Sequence, residues 1–170
     1  VWFAERKRIH DKSDKMKYYS TNKQAPMASL QEAVVKGLAS DKGLFMPETI
    51  KPLPEDFYEN IENLSFQERA YQVADAFLGE DVPADILKEI VYDTLSFDTP
   101  LVKVTEDIYS LELFHGPTLA FKDVGERFMA RLLGYFIRKQ GQKNVNVLVA
   151  TSGDTGSAVA NGFLGVEGIH

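Results

Sequence analysis

Residues 144–163 place the tightest limit on what this chain can fold into. Asn144-Val-Asn-Val-Leu-Val-Ala150 is a β-branched, apolar run, the composition of a strand covered on both faces in a parallel sheet. It empties into Thr151-Ser-Gly-Asp-Thr-Gly-Ser157, after which Ala158, Val159, Ala160 and Phe163 recur at helical spacing. Strand, polar glycine loop and helix in that order make an α/β unit. Such a loop offers unpaired backbone N–H groups at the positive end of a helix, which suits a carboxylate or a phosphate. It is not a Walker loop, because the lysine is missing, and it fits neither G-x-G-x-x-G nor G-x-S-x-G. The competing reading is structural: Asp154 or Thr155 caps the helix while the glycines ease the turn. Gly165 to His170 reads as the approach to another strand.

Upstream, Ile108, Leu111, Leu113 and Phe114 mark an apolar segment that Gly116-Pro117 ends as a turn, and Leu101, Val102 and Val104 mark another. Thr118 stands where an N-cap is expected. Phe121, Val124, Phe128, Leu132 and Phe136 then recur at helical spacing, so a long amphipathic helix is predicted with Lys122 in its first turn. A cation there faces the positive end of the helix dipole, and apolar neighbours such as Leu119 and Phe121 desolvate it; both favour the neutral, nucleophilic amine. The plainer alternative is a solvated lysine paired with Glu126 one turn on.

The first half of the chain reads as mostly helical. Lys17 to Thr21 is a short extended segment. Ser29-Leu-Gln-Glu32 is a capping box that opens a short helix with Leu30, Ala33, Val34 and Leu38 on one face. Gly43 and Leu44-Phe45-Met46-Pro47 follow it as turn and strand. A helix is predicted from Glu55 to about Leu64. A second capping box, Ser65-Phe-Gln-Glu68, starts another, with Phe66, Ala70, Val73, Ala74 and Phe77 on its packed face. Pro83 suits the first turn of one more, with Ile86, Leu87, Ile90 and Val91 turned inward.

His115-Gly-Pro-Thr-Leu-Ala-Phe-Lys122-Asp123 resembles the lysine segment of threonine synthases, pyridoxal-phosphate enzymes of the tryptophan synthase β-type fold (fold type II). Ser152 to Ala158 and Tyr18 to Pro47 are similar to two further segments of that family, in the same order. The resemblance implies an α/β protein: a threonine synthase-like helical subdomain over 16–98, then the start of a parallel-sheet, pyridoxal-phosphate-binding α/β domain over 99–170. Residues 1–15 are set apart as a leader or expression remnant. The resemblance further implies that Lys122 carries pyridoxal 5'-phosphate and is the catalytic residue, that Asp154 and Thr155 lie against the cofactor, and that Ser152, Thr155, Ser157, His115 and Thr118 bind substrate. For His115 the alternative is a strand-end histidine satisfied by backbone. The implied reaction is O-phosphohomoserine and water to threonine and phosphate. The loop for the cofactor's own phosphate is expected further along than these residues, so this chain alone is expected to be inactive. Two departures stand out: many related enzymes carry asparagine in place of Asp154, and Lys42 stands where the family commonly has glycine. Serine or threonine dehydratases and cysteine synthases share the fold but lack a region like Tyr18 to Pro47. A catalytically silent binder of phosphorylated metabolites is the rival from another class.

Composition narrows the remaining classes. With 25 acidic and 19 basic residues, a net charge of −6 attracts neither nucleic acid nor anionic lipid. Cysteine is absent, which removes disulfide frameworks and thiolate sites. His10, His115 and His170 are far apart with no carboxylate at ligand spacing, so no metal site is expected. No apolar run reaches the ~20 residues of a spanning helix, and a cytoplasmic setting is expected. Oligomeric state is not legible.

Overall fold

The computed structural model describes residues 15–141, 145–151 and 153–170. Most of the leader assigned to 1–15, together with Ser152 and Asn144, lies outside the described residues. The elements run β1 (Lys17–Ser20), β2 (Ala28–Ser29), α1 (Leu30–Lys36), β3 (Phe45–Pro47), α2 (Glu55–Glu59), a 3₁₀ turn (Ile61–Asn63), α3 (Phe66–Leu78), α4 (Ala84–Thr94), β4 (Leu101–Lys103), β5 (Tyr109–Leu111), α5 (Asp123–Gln140) and α6 (Asp154–Phe163).

Both capping boxes form as their spacing requires. Ser29 accepts from the Glu32 amide at the start of α1, Ser65 accepts from the Glu68 amide at the start of α3, and each glutamate reaches back to its cap. The predicted 55–64 helix breaks at Asn60, whose side chain bonds the carbonyl of Asp56 and ends α2 after five residues. Leu38 is not on α1. It follows the C-cap Gly37, bridges Leu44 and is exposed. On α3 the packed stripe is Ala70, Tyr71, Ala74, Phe77 and Leu78, whereas Phe66 and Val73 face solvent.

One apolar cluster holds these pieces together. Met16 and Tyr18 of the N-terminal sheet, Leu30 of α1, Leu78 of α3, Leu87, Ile90 and Val91 of α4, and Leu132 and Phe136 of α5 all pack in it. Leu87 is fully buried, and each such side chain contributes ~1.5–3 kcal/mol. The helix that Lys122 precedes is therefore anchored on the N-terminal helices.

Asp41 organises the turn region ahead of β3. Its Oδ1 accepts from Ser20 Oγ at 2.6 Å and from the Gly43 amide at 3.0 Å, and its Oδ2 accepts from the amides of Gln24 and Ala25 at 2.9 Å. The Ser20 hydroxyl, aided by the three amides, holds its carboxyl down to about 2. A carboxyl whose folded value lies below the unfolded ~3.9 adds stability that is present above that value and lost as pH falls through the folded one. Asp41→Asn is therefore expected to flatten the acid limb of a melting-temperature profile between about pH 4 and pH 2 while leaving its shape near neutrality unchanged. The adjacent Lys42 sits at φ 67°, the left-handed region predicted for a residue in the family's glycine position. Lys42→Gly is expected to raise stability by ~1 kcal/mol in urea unfolding, since glycine reaches that region without strain.

The second half differs from the expected parallel sheet in two respects. Its one described ladder is the antiparallel pair β4–β5, with Leu101 opposite Leu111 and Lys103 opposite Tyr109. The 145–150 run is extended but pairs only with 168–170, through a parallel bridge between Val145 and Ile169. Val145 N–H donates to Gly168 O, and His170 N–H to Val145 O, both at 2.8 Å. That pairing bears out the strand-like character of the segment after Gly165. It does not cover the run, for Leu148 is 94% exposed, because no second neighbouring strand flanks it among the described residues.

Candidate active site

α6, which follows the second motif, packs on α5, which follows Lys122. A Cβ on Gly162 would come within 3.1 Å of the Glu126 backbone, one turn beyond Lys122, so the C-terminal end of α6 approaches α5 closely there. The first turns of α5 are tied in turn to the end of α4. Arg127 donates through Nη2 to Asp93 O at 2.6 Å and through Nε to Thr94 O at 3.2 Å, and Arg131 pairs with the Asp93 carboxylate.

Lys122 is the N-cap residue of α5, one position ahead of the predicted first turn. Its side chain is half-buried. It forms no ion pair with Glu126; Nζ lies 4.2 Å from the centre of the Phe121 ring. Phe114, Leu119 and Phe121 surround this stretch with exposed apolar surface.

Thr118 is not the helix cap. Its amide donates to Asp123 Oδ2 at 2.9 Å and its hydroxyl to Asp123 Oδ1 at 2.7 Å. The buried carboxylate five residues on thus competes successfully for the group that would have capped a helix, and α5 starts only at Asp123. His115 Nε2 lies 2.7 Å from Glu112 Oε2 and its ring stacks on Phe114 at 4.8 Å, so a carboxylate satisfies it instead of backbone.

At the second motif, α6 has no side-chain cap, so neither Asp154 nor Thr155 plays the purely structural part. Gly153 at φ 133° is a conformation open in practice to glycine alone, and Gly156 has no room for a Cβ against Thr151. Ser157 N–H and Oγ–H both donate to Gly153 O, at 2.9 and 3.0 Å, and the Gly153 amide donates to Thr151 Oγ1 at 3.4 Å. Asp154 is exposed and Thr155 half-buried. No hydrogen bond joins Lys122 to Asp154, Thr155 or Ser157; the helices that follow the two motifs pack on each other, with the C-terminal end of α6 at the first turns of α5. Ser152 lies outside the described residues. Residue-level reading of the sequence missed Asp123 and Arg127, and for Asp123 the signal was present: a carboxylate directly after the lysine, five residues from a threonine.

A cleft of about 520 Å³ between α4, α5 and 161–167 holds Asp93, Arg127 and Arg131 and none of the motif residues. Arg127 and Arg131 are already committed to Asp93 and its neighbours, so the chemistry is sought at Lys122 instead. Among the described residues no cluster suits a metal ion, and no helix is long and apolar enough to cross a membrane.

These features define a mixed α/β protein with a half-buried lysine, without an ion pair among the described residues, at the start of α5. Comparison shows what the chain is similar to. Residues 17–95 match the family model described as the threonine synthase N terminus. The threonine synthase of Escherichia coli is 40% identical over 154 residues, covering 91% of this chain and 35% of the relative. That of Schizosaccharomyces pombe is 40% identical over 170 residues, covering 92% and 33%. Among solved structures, pyridoxal-phosphate-bound threonine synthase from Brucella melitensis superimposes with TM-score 0.85 at 35% identity, covering 91% of this chain and 34% of that one. By sequence and by fold the chain is similar to threonine synthases, and it spans about a third of the length of the relatives it matches.

Proposed function

We propose that this chain supplies the lysine-bearing part of a threonine synthase, which converts O-phosphohomoserine and water to threonine and phosphate in the cytoplasm. The reading rests above all on Lys122: a half-buried amine without a counter-ion, at the helix start where the family-like motif predicts it. The residues present fit one end of pyridoxal phosphate: an amine without an ion pair that would hold its aldehyde carbon, and a helix start without a side-chain cap that would accept an anionic group. When bound, the cofactor's ring draws electron density from the carbons next to the amine it holds.

The chain's own residues then have separate tasks. Lys122 Nζ would hold the cofactor, and the same amine, when not so engaged, would take the proton from the substrate α carbon. The amides of the first turn of α6, with Thr155 and Ser157, hold the α-carboxylate, as Ser152 does by resemblance. By resemblance Thr155 and the backbone of Asp154 would stand beside the cofactor ring, with the exposed Asp154 carboxylate turned to solvent. An ionised Asp154 there would repel the carboxylate, so its solvent-facing placement is the one compatible with binding. His115, oriented by Glu112, and Thr118 line the same side. The helical subdomain spans 16–98, and the α/β part from 99 onward contributes its 145–150 run to a parallel sheet.

The test is a chimera of residues 16–170 with the C-terminal two-thirds of the Escherichia coli enzyme. Phosphate release from O-phosphohomoserine supports the synthase. Release of a 2-oxo acid from serine or threonine would assign a dehydratase, and neither activity, with a folded chimera, would leave a silent binder.

A further inference from the structure

Asp123 is fully buried and forms no direct ion pair among the described residues, Arg127 attracting it only from a distance, an arrangement that costs stability unless its oxygens are bonded. Both are bonded to a single residue, Thr118, through its amide and its hydroxyl. The rest of the loop is shaped to this contact. A Cβ on Gly116 would fall 2.4 Å from Asp123 Oδ2, so only glycine leaves space for the carboxylate. Leu119 is held at φ 59°, a left-handed conformation that a leucine adopts only when its surroundings impose it. Leu119 N–H bonds Gly116 O at 3.1 Å and Asp123 N–H bonds Ala120 O at 3.0 Å, closing two turns. Between these fixed points lie Phe121 and Lys122. The lysine is covalently next to the buried carboxylate, and its backbone is fixed at the helix boundary by it.

We propose that Asp123 is a positioning residue for Lys122: its buried carboxylate locks the Gly116–Lys122 loop onto the start of α5 and so fixes where the amine is presented. The proposal rests on the assignment of Lys122 as the reactive amine for its functional meaning. The lock itself is a property of this chain, and it is testable without cofactor or activity.

The experiment uses the 170-residue chain and the variants Asp123→Ala, Thr118→Val and Thr118→Ser. Reductive methylation by formaldehyde and cyanoborohydride, mapped by mass spectrometry, gives the labelling of Lys122 relative to the exposed Lys88. Freeing the loop releases the ammonium from the Phe121 ring, so the Lys122-to-Lys88 ratio is expected to rise about threefold in Asp123→Ala and Thr118→Val. Thr118→Ser keeps the hydroxyl and is expected to return the wild-type ratio. Amide hydrogen exchange at Thr118 is expected to quicken about tenfold in Asp123→Ala, the equivalent of one charge-assisted hydrogen bond, with the α3–α4 amides unchanged. An unchanged ratio in a folded Asp123→Ala, or a shift shared by every lysine, would overturn the proposal. Should Asp123→Ala fail to fold, the Thr118 pair decides: equal ratios in valine and serine variants would refute it. Trapping of pyridoxal phosphate on Lys122 tests the functional assignment separately.

Discussion

In the chimera, Lys122→Ala is expected to lower phosphate release from O-phosphohomoserine by about three orders of magnitude or more, with KM for any remaining turnover little changed. The argument is one of roles. The amine both holds the cofactor and moves the α proton, and no second lysine lies within the two motifs to replace it; Lys139, the other lysine described on α5, sits at the far end over the rings of Tyr135 and Phe136. Circular dichroism should remain that of the parent, because the side chain makes no hydrogen bond or ion pair that folding depends on. Initial phosphate-release rates check the prediction, and a loss smaller than about tenfold would mean that another group carries the proton.

Phe136→Ala is expected to destabilise the chain by ~3–5 kcal/mol, read as a fall in the urea midpoint. Phe136 is 1% exposed and sits where α5 packs against α1, α4 and the N-terminal sheet. Its loss leaves a cavity bounded by Leu87, Ile90 and Leu132, and α5 cannot close on it without giving up the arginine ties to the end of α4. For a domain with a net stability of ~5–15 kcal/mol this is a large fraction. The same substitution should raise hydrogen exchange along α5, and through it loosen the start of the helix where Lys122 is carried.

What the sequence made legible was local. Ser29 with Glu32 and Ser65 with Glu68 form their boxes because both partners lie within one turn, and Pro83 stands directly before α4 for the same reason. Stripes at helical spacing located α3, α4 and α5. They could not decide which of two adjoining stripes packs, so Phe66 and Val73 were placed inside when Tyr71 and Leu78 are. Non-local contacts were out of reach. Asp41 binds residues 16 to 21 positions away, and nothing in its neighbours announces that. Thr118 was misplaced as a cap because the rule looks only at the residues that follow directly, and a buried carboxylate five positions on wins the same hydrogen bonds. The 145–150 run was recognised by composition, but composition cannot supply the neighbours that cover a strand, and here one parallel bridge is what it has. At the candidate site, Lys122 stands at the N-cap of α5, one position ahead of the predicted first turn, because Asp123, adjacent in sequence, takes the Thr118 bonds and starts the helix.

The most direct measurement is to incubate the chimera with pyridoxal phosphate, reduce it with borohydride, and map the modified peptide. The account predicts a yellow, reducible adduct carried by Lys122 in preference to the exposed lysines such as Lys88. An adduct spread evenly over surface lysines, or absent from the Lys122 peptide in a folded sample, would contradict it.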